Sequence, residues 1–321
     1  MRAAERRRLD GKVALVAGAT RGAGRGIACM LGEAGATVYC TGRSVRGQPP
    51  SEGPYAGRPE TIEETAEMVI ARGGKGFAVR VDHLVLEEVE ALVARIRREQ
   101  GRLDVLVNDI SEGVQHDWQP FWKVSLEKGF RALRQGVRSH ILTSHCAAPL
   151  MIERRGGLVV EITDGDFLGY HATLFYDLVK TNVNRLAYAM ANDLAPHGIA
   201  AVAVTPGYMR TEAILDSFGV PETRWKDATR KDEHFAFSET PFFVGRAVAA
   251  LAADPNVMAK SGGIFGSWTL SDEYGFTDAD GARPHWGRHA ATLSGNLGGS
   301  KVPFEWTLTR TEGKARGRPG R

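Results

Sequence analysis

The stretch Val13-Ala14-Leu15-Val16-Ala17-Gly18-Ala19-Thr20-Arg21-Gly22-Ala23-Gly24 decides the fold of this 321-residue chain. A run of five apolar residues is typical of a strand buried on both faces of a parallel sheet. The glycines that follow permit a tight turn and a close approach of the backbone to a ligand. A helix that begins at such a turn offers unpaired N–H groups to an anion. The stretch therefore predicts a strand, a phosphate-binding turn and a helix.

The rest of the sequence repeats this alternation of strand and helix. Apolar runs predict strands at 37–41, 76–81, 103–108, 158–162, 199–205 and 263–270, with helical patterns between them. That order implies parallel β-α-β units, and hence a single α/β domain with a Rossmann-type doubly wound parallel sheet over 9–282. We expect 1–8 to be a basic N-terminal extension and 283–321 to be a poorly ordered C-terminal extension.

Composition and charge narrow the class of protein. The net charge is +3, but the basic excess lies at the two ends of the chain and not on the predicted domain. This distribution predicts no nucleic-acid face. The three cysteines form no C-x-x-C pair, which suits a reducing compartment, and no apolar run approaches the ~20 residues of a membrane span. We therefore expect a cytoplasmic protein with no membrane partner.

Further motifs follow the glycine-rich turn in a characteristic order. They are Asp82-His83 after strand three, Asn108-Asp109-Ile110-Ser111 at the end of strand four, Tyr176-Asp177-Leu178-Val179-Lys180 between strands five and six, and Pro206-Gly207 with Thr211 after strand six. With the G-x-x-x-G-x-G turn, these motifs resemble the short-chain dehydrogenase/reductase family over about residues 9–282. Three more segments resemble the branch typified by dehydrogenase/reductase SDR family member one: 161–165, 196–198 and 275–278.

The resemblance implies an enzyme that interconverts a carbonyl and an alcohol with a nicotinamide cofactor. The small-molecule substrate is a carbonyl compound or an alcohol, with apolar character if nearby aromatic loops line its pocket. The family also implies a homodimer or homotetramer. The cofactor residues that it implies are Gly18, Thr20, Arg21, Gly22, Ala23, Gly24, Arg43, Asp82, His83, Asn108, Asp109, Ile110, Tyr176, Lys180, Pro206, Gly207 and Thr211.

The end of strand two favours NADP(H) over NAD(H). NAD-selective members carry an acid there for the adenosine ribose, whereas this chain has Gly42 followed by Arg43. Guanidinium groups suit a 2′-phosphate. We expect Arg43 and Arg21 to contact that phosphate, with Arg46 as a weaker candidate.

Tyr176 and Lys180 are the predicted catalytic pair. They are four residues apart on a helix and so share one face. A free phenol has a pKa near ~10, and a neighbouring ammonium is expected to lower it. Tyr176 then exchanges a proton with the substrate oxygen as general acid or base, assisted by Lys180.

Two positions depart from the family pattern. Where the family has a serine that donates to the substrate carbonyl, this chain has Thr163-Asp164. Either the Thr163 hydroxyl donates, which we favour here, or Asp164 donates while burial keeps it protonated. Where many members have a catalytic asparagine, our count places Gly136, and nearby His140 is interpreted as an ordinary helix residue.

Other features leave alternatives open. Aromatic residues after strands four and six could line an apolar pocket or simply pack in the core: Trp118, Phe121, Trp122, Tyr208, Phe218, Trp225, Phe235 and Phe237. His285 and His289 lack a third ligand, so we predict no metal site. A non-catalytic NADP(H)-binding sensor or scaffold is the second hypothesis, and a nucleotide-sugar epimerase or dehydratase is the third, although the substrate domain of such enzymes is not evident.

Overall fold

A computed structural model describes residues 9–50, 55–111, 119–165 and 173–293. The predicted doubly wound parallel sheet is confirmed. Its seven strands lie in the order β3-β2-β1-β4-β5-β6-β7, and every pair of neighbours is parallel. The strands are β1 (Val13–Ala17), β2 (Thr37–Gly42), β3 (Lys75–Arg80), β4 (Val105–Asn108), β5 (Gly157–Ile162), β6 (Ile199–Thr205) and β7 (Ile264–Gly266).

Ten α-helices lie within the described ranges. They are α1 (Gly22–Glu33), α2 (Ile62–Ala71), α3 (Leu86–Gln100), α4 (Leu126–Leu133), α5 (Ser139–Arg154), α6 (Leu174–Leu194), α7 (Glu212–Phe218), α8 (Pro241–Ala253), α9 (Ser267–Tyr274) and α10 (Trp286–Leu293). Thr61 is the N-cap of α2 and accepts a hydrogen bond from the backbone N–H of Glu64 at 3.2 Å. A threonine followed three residues later by a glutamate is the sequence pattern of a capping box. None of these helices is long and apolar enough to cross a membrane.

Apolar helix faces cover both sides of the sheet. One core includes Ile27 and Leu31 of α1 with Val244 and Val248 of α8, packed on β1, β4, β5 and β6. The other core includes residues of α3, α5 and α6, packed on the opposite face. The two cores bury both faces of the central strands, which is why β1 and β6 read as nearly continuous apolar runs.

The last predicted strand is shorter than expected. Residues 264–266 pair with β6, whereas 267–270 form the first turn of α9 and not a strand. Gly266 stands at the N-cap of α9, and the helix buries Trp268 and Leu270. A short apolar run does not distinguish a strand from a buried helix, and here most of the run forms a helix.

The expected C-terminal extension begins with ordered structure. The helix α10 forms at residues 286–293, and the ring of Trp286 packs edge-on against Tyr208 at 5.7 Å. Aromatic contacts anchor this short helix, so apolar periodicity gave no signal for it. The prediction for 1–8 and that for the remainder of the extension, 294–321, fall outside the described residues.

Candidate active site

The crossover point of the sheet brings the glycine-rich turn beside the end of β4. The backbone N–H of Asp109 donates to the carbonyl of Ala17 at 2.9 Å. Gly18 has φ +95°, and a Cβ there would lie 2.5 Å from the carbonyl oxygen of Asp109. Only glycine therefore allows β1 and β4 to approach in this way. The crevice beyond these strand ends is where ligands bind in open α/β sheets.

The N-terminus of α1 already holds an anionic group. The backbone N–H of Gly22 donates to Oε2 of Glu212 at 2.9 Å. The methyl group of Thr211 lies 3.5 Å from the position that a Cβ on Gly22 would take. Thr20 and Ala23 are buried in the same turn, and Gly24 lies against the carbonyl of Gly18. The turn thus has the donors that a pyrophosphate needs, and a phosphate oxygen could replace the Glu212 carboxylate.

Arg21 does not have the environment that its predicted role requires. Its Nε donates to Glu60 at 3.2 Å, and the ring of Tyr55 lies 4.6 Å from its guanidinium carbon. Glu60 also binds Arg58, so this carboxylate is shared by two guanidinium groups. Because the charge of Arg21 is satisfied within the protein, Arg21 is a weaker phosphate ligand than we expected. These contacts of Arg21 could not be predicted from the sequence, because Glu60 and Tyr55 belong to an irregular loop region.

The surroundings of Gly42 and Arg43 suit a 2′-phosphate better. A Cβ on Gly42 would lie 2.6 Å from the hydroxyl oxygen of Thr20, so the local packing disfavours an acidic side chain at this position. Arg43 is 57% exposed, and among the described residues its ion pair is a long contact of 3.8 Å with Asp82. Arg46 instead forms a bidentate pair with Glu67 on α2. Arg43 is therefore the most available of the three predicted guanidinium groups.

Tyr176 and Asp164 are hydrogen-bonded at the start of α6. The phenol hydroxyl donates to Oδ2 of Asp164. Burial and the Asp164 carboxylate raise the pKa of Tyr176 well above its ordinary value. The ammonium of Lys180 lies 5.6 Å from the centre of the Tyr176 ring. The expected lowering of the phenol pKa by Lys180 is therefore wrong for this arrangement, because desolvation and the nearby carboxylate outweigh the ammonium.

The hydroxyl of Thr163 is hydrogen-bonded to the backbone of α6 and, among the described contacts, not to Tyr176. This hydroxyl donates to the backbone carbonyl of Lys180 at 3.2 Å, and the side chain is buried. Asp164, in contrast, accepts a hydrogen bond from the hydroxyl of Tyr176. This geometry disfavours our expectation that Thr163 would be the donor.

The helix before β5 explains the missing asparagine. A five-residue π-helical turn, Arg134–Arg138, separates α4 from α5 in the helical region between β4 and β5. Gly136 lies in this turn, where a Cβ would be 2.6 Å from Cγ1 of Val179, the neighbour of Lys180. The close packing of α6 therefore leaves no space for a larger residue at Gly136. His140, in contrast, is not an ordinary helix residue: it is buried and bound to Glu161.

Several predicted cofactor residues lie just below the cleft. His83 bridges Thr41 and Thr143 at 2.8 Å each, and burial lowers its pKa to about 3. Asn108 donates to side chains within the protein, and the N–H of Gly207 donates to the buried carboxylate of Glu239 at 3.0 Å. These contacts shape the walls of the cleft. Asp82, Ile110 and Pro206 lie at the same edge of the sheet, each just after a strand.

Most of the aromatic residues after β6 pack together and do not line an open pocket. Phe235 is fully buried and contacts the rings of Tyr208, Phe218 and Trp225. Trp225 and Phe237 also border a cavity of about 380 Å³ beside α10. Phe121 and Trp122 are exposed, and Trp118 lies outside the described residues.

Comparisons with known proteins agree with this geometry. The family model described as short chain dehydrogenase matches residues 12–217. The chain is 35% identical over 279 residues to dehydrogenase/reductase SDR family member 1 of Mus musculus, and the match covers 85% of each chain. A short chain dehydrogenase from Mycobacterium thermoresistibile superposes with a TM-score of 0.71 at 23% identity, over 87% of this chain and 92% of that one. An NAD-bound short chain dehydrogenase from Mycobacterium paratuberculosis gives a TM-score of 0.65 at 23% identity, over 81% and 97%.

Proposed function

The chain belongs to the short-chain dehydrogenase/reductase family of oxidoreductases, and from this premise we propose that it interconverts a carbonyl and an alcohol by hydride transfer with NADP(H). The observation that carries the proposal is the hydrogen bond between Tyr176 and Asp164, with Lys180 beside the ring. This group lies at the sheet edge where the glycine-rich turn offers N–H donors to an anion. A proton donor and an anion site at one edge are what the reaction needs.

The residues that would hold the cofactor follow from the geometry. The N–H groups at the start of α1 would bind the pyrophosphate once Glu212 moves aside. Arg43 would bind the 2′-phosphate, and Gly42 leaves no carboxylate to oppose it. Lys180 would bind the nicotinamide ribose, as in the family. A bound nicotinamide supplies or accepts the hydride.

The protein supplies the proton. In reduction, Tyr176 donates its phenol proton to the carbonyl oxygen as negative charge develops there. If Asp164 were ionised at that moment, phenolate and carboxylate would lie side by side, which is unfavourable in a buried site. We therefore propose that Asp164 is protonated in the reducing form. It then stabilises the phenolate by donating a hydrogen bond to it, from the position where the family has its serine.

A panel assay tests the proposed activity. Wild-type protein is mixed with NADPH and a set of aldehydes and ketones, including apolar ones, and NADPH loss is followed with and without carbonyl. We expect carbonyl-dependent loss. Binding of NADPH without turnover of any compound, in the forward or the reverse direction, would instead favour the non-catalytic sensor or scaffold.

We also propose a homodimer or homotetramer. The exposed apolar residues Ile141 on α5 and Leu178 on α6 support it, since they are 47% and 39% exposed on neighbouring helices. Burial of such residues between two copies would stabilise an assembly.

A further inference from the structure

A buried acid–base pair lies beneath the candidate active site, and the proposed reaction does not use it. Glu161, on β5, has no exposed surface, and His140, on α5, is 2% exposed. The Nδ1 atom of His140 lies 2.5 Å from Oε2 of Glu161. Burying two ionisable groups is costly unless each is fully hydrogen-bonded. The burial of both His140 and Glu161 therefore needs a structural or functional explanation.

The hydrogen bonds fix how many protons the pair holds. Nε2 of His140 lies 3.0 Å from the backbone carbonyl of Ile110, which can only accept, so Nε2 must carry a hydrogen. Nδ1 faces a carboxylate oxygen, so a second proton must lie between Nδ1 and Glu161. The other oxygen of Glu161 accepts from Nδ2 of Asn108 at 2.7 Å, which favours the ionised carboxylate. The arrangement is therefore that of an imidazolium paired with a carboxylate.

The pair is located directly under the reacting groups. Asn108 and Glu161 are register partners on β4 and β5, and Asp164 follows three residues after Glu161. The carbonyl that His140 binds belongs to Ile110, the neighbour of Asp109. The imidazolium thus holds the turn that carries Asp109 at the floor of the cleft.

Asp109 connects the pair to Lys180. Burial raises the pKa of Asp109 to about 7, while the positive charges of Lys180 and His140 and the backbone N–H of Gly24 oppose that rise. Tyr55 also faces this carboxylate from the loop region before α2. On the far side of His140, the charged partner is Glu161, and the buried His83 is the other titratable neighbour. Asp109 is therefore an acid whose charge depends on both Lys180 and His140.

We propose that the His140–Glu161 pair is a positioning element that holds the turn carrying Asp109 and favours the ionised form of its carboxyl group next to Lys180, in place of the asparagine that Gly136 excludes. The Nε2 side of the imidazolium faces the carbonyl of Ile110, next to Asp109, whereas its Nδ1 side faces Glu161. The ring therefore lies between the carboxylate of Glu161 and the turn that carries Asp109. An ionised Asp109 in turn gives the ammonium of Lys180 a fixed counter-charge. The consequence for activity rests on the proposed function, whereas the protonation of the pair does not.

The variant Glu161→Gln separates charge from hydrogen bonding. The amide oxygen still accepts from Asn108, and the amide N–H can donate to Nδ1 of a neutral His140 whose Nε2–H still binds Ile110. Every hydrogen bond is kept, but the imidazolium loses its counter-ion and becomes neutral. Glu153→Gln is the matched control, since Glu153 is an exposed residue of α5 that binds Arg97.

Nuclear magnetic resonance of the ligand-free protein gives the decisive readout. Imidazole nitrogen shifts, assigned with His140→Gln, should show His140 doubly protonated at neutral pH, with neutral His83 as the internal reference. The side-chain carboxyl carbon of Asp109 should titrate near pH 7 in wild type and Glu153→Gln. Glu161→Gln removes the negative charge of Glu161 together with the positive charge of His140. Because His140 contacts the Asp109 turn and Glu161 lies on the other side of the ring, the loss of the positive charge should dominate, and the midpoint should rise by roughly 0.5 pH unit.

Two results would overturn the proposal. One is a singly protonated His140 in the wild-type protein, which remains measurable even if Glu161→Gln does not fold. The other is a folded Glu161→Gln variant in which Asp109 titrates as in the Glu153→Gln control. In an active enzyme, the acid limb of kcat/KM should move upward with the Asp109 midpoint. Absence of turnover would count against the proposed function, but it would not change what the nuclear magnetic resonance data show about the protonation of His140 and Asp109.

Discussion

The phenol hydroxyl of Tyr176 donates its hydrogen bond to the carboxylate of Asp164, whereas the hydroxyl of Thr163 donates to the backbone of Lys180. This relationship identifies Asp164 as the residue that shares a proton with the candidate acid. It also makes the protonation of Asp164 the step that should govern the pH dependence of reduction.

We predict that Asp164→Asn stays active at higher pH than wild type. Wild-type reduction should fall as pH rises through the titration of Asp164, because the donor is lost and an anion appears beside Tyr176. The amide keeps a donor and removes the charge, so the limb should move up to the ionisation of Tyr176. Profiles of kcat/KM against pH measure this shift.

Thr163→Val is the matched control for that experiment. It removes a hydroxyl that binds only the helix backbone among the described contacts, and should cost about 1 kcal/mol of stability while leaving the shape of the pH profile unchanged. If Thr163→Val lost most activity while Asp164→Asn behaved as wild type, Thr163 and not Asp164 would be the hydrogen-bond donor.

Arg43→Ala should weaken NADPH binding roughly tenfold, because a charge-assisted contact with the 2′-phosphate is lost. NADH binding should change little. Arg46→Ala is the control, since Arg46 is already paired with Glu67. Fluorescence titration of both cofactors gives the four affinities. The prediction is wrong if wild type binds NADH at least as tightly as NADPH.

Glu212→Gln should tighten NADPH binding by about two- to fivefold. The Glu212 carboxylate occupies the N–H of Gly22, and an anion at a helix N-terminus is worth about 0.3–1 kcal/mol. The variant removes that competing charge next to the incoming phosphates. Asp216→Asn, on the same helix but 69% exposed, is the control. Calorimetry at constant ionic strength measures the change, and unchanged or weaker binding would show that Glu212 does not compete.

Leu178→Glu should break up a homo-oligomer at micromolar concentration, because it places a charge at one of the two exposed apolar residues proposed to be buried between copies. Ile70→Glu alters an apolar residue on α2 that is more exposed, at 56% against 39% for Leu178, and should leave assembly intact. Sedimentation velocity distinguishes the species. A monomeric wild-type protein would end the assembly proposal.

The sheet could be predicted from sequence because strands buried on both faces leave continuous apolar runs. The runs of β1, β5 and β6 and the capping box of α2 all depend on local rules, and the structure agrees with them. The strand predicted at 263–270 was too long, since a short apolar run does not reveal that the chain turns into α9. Local sequence patterns were therefore enough to predict an element where its burial required one regular pattern of apolar residues.

The electrostatics of the site could not be predicted in the same way. The pairing of Arg21 with Glu60 joins residues 39 positions apart, and His140 meets Glu161 across 21 positions. Such contacts depend on the register of neighbouring elements and not on any local motif. This is also why a Tyr-x-x-x-Lys pattern predicted the positions of Tyr176 and Lys180 but not the raised phenol pKa.

The most direct test of the central claim is deuterium transfer from NADPH that carries deuterium at both C4 positions of the nicotinamide, in wild type and Tyr176→Phe. With a carbonyl found in the panel assay, wild type should give an alcohol that carries one deuterium on the former carbonyl carbon. Tyr176→Phe should bind NADPH normally but form this product about 100-fold more slowly, since it lacks the proton donor. An unlabelled product, or equal rates for the two proteins, would contradict hydride transfer with Tyr176 as the acid.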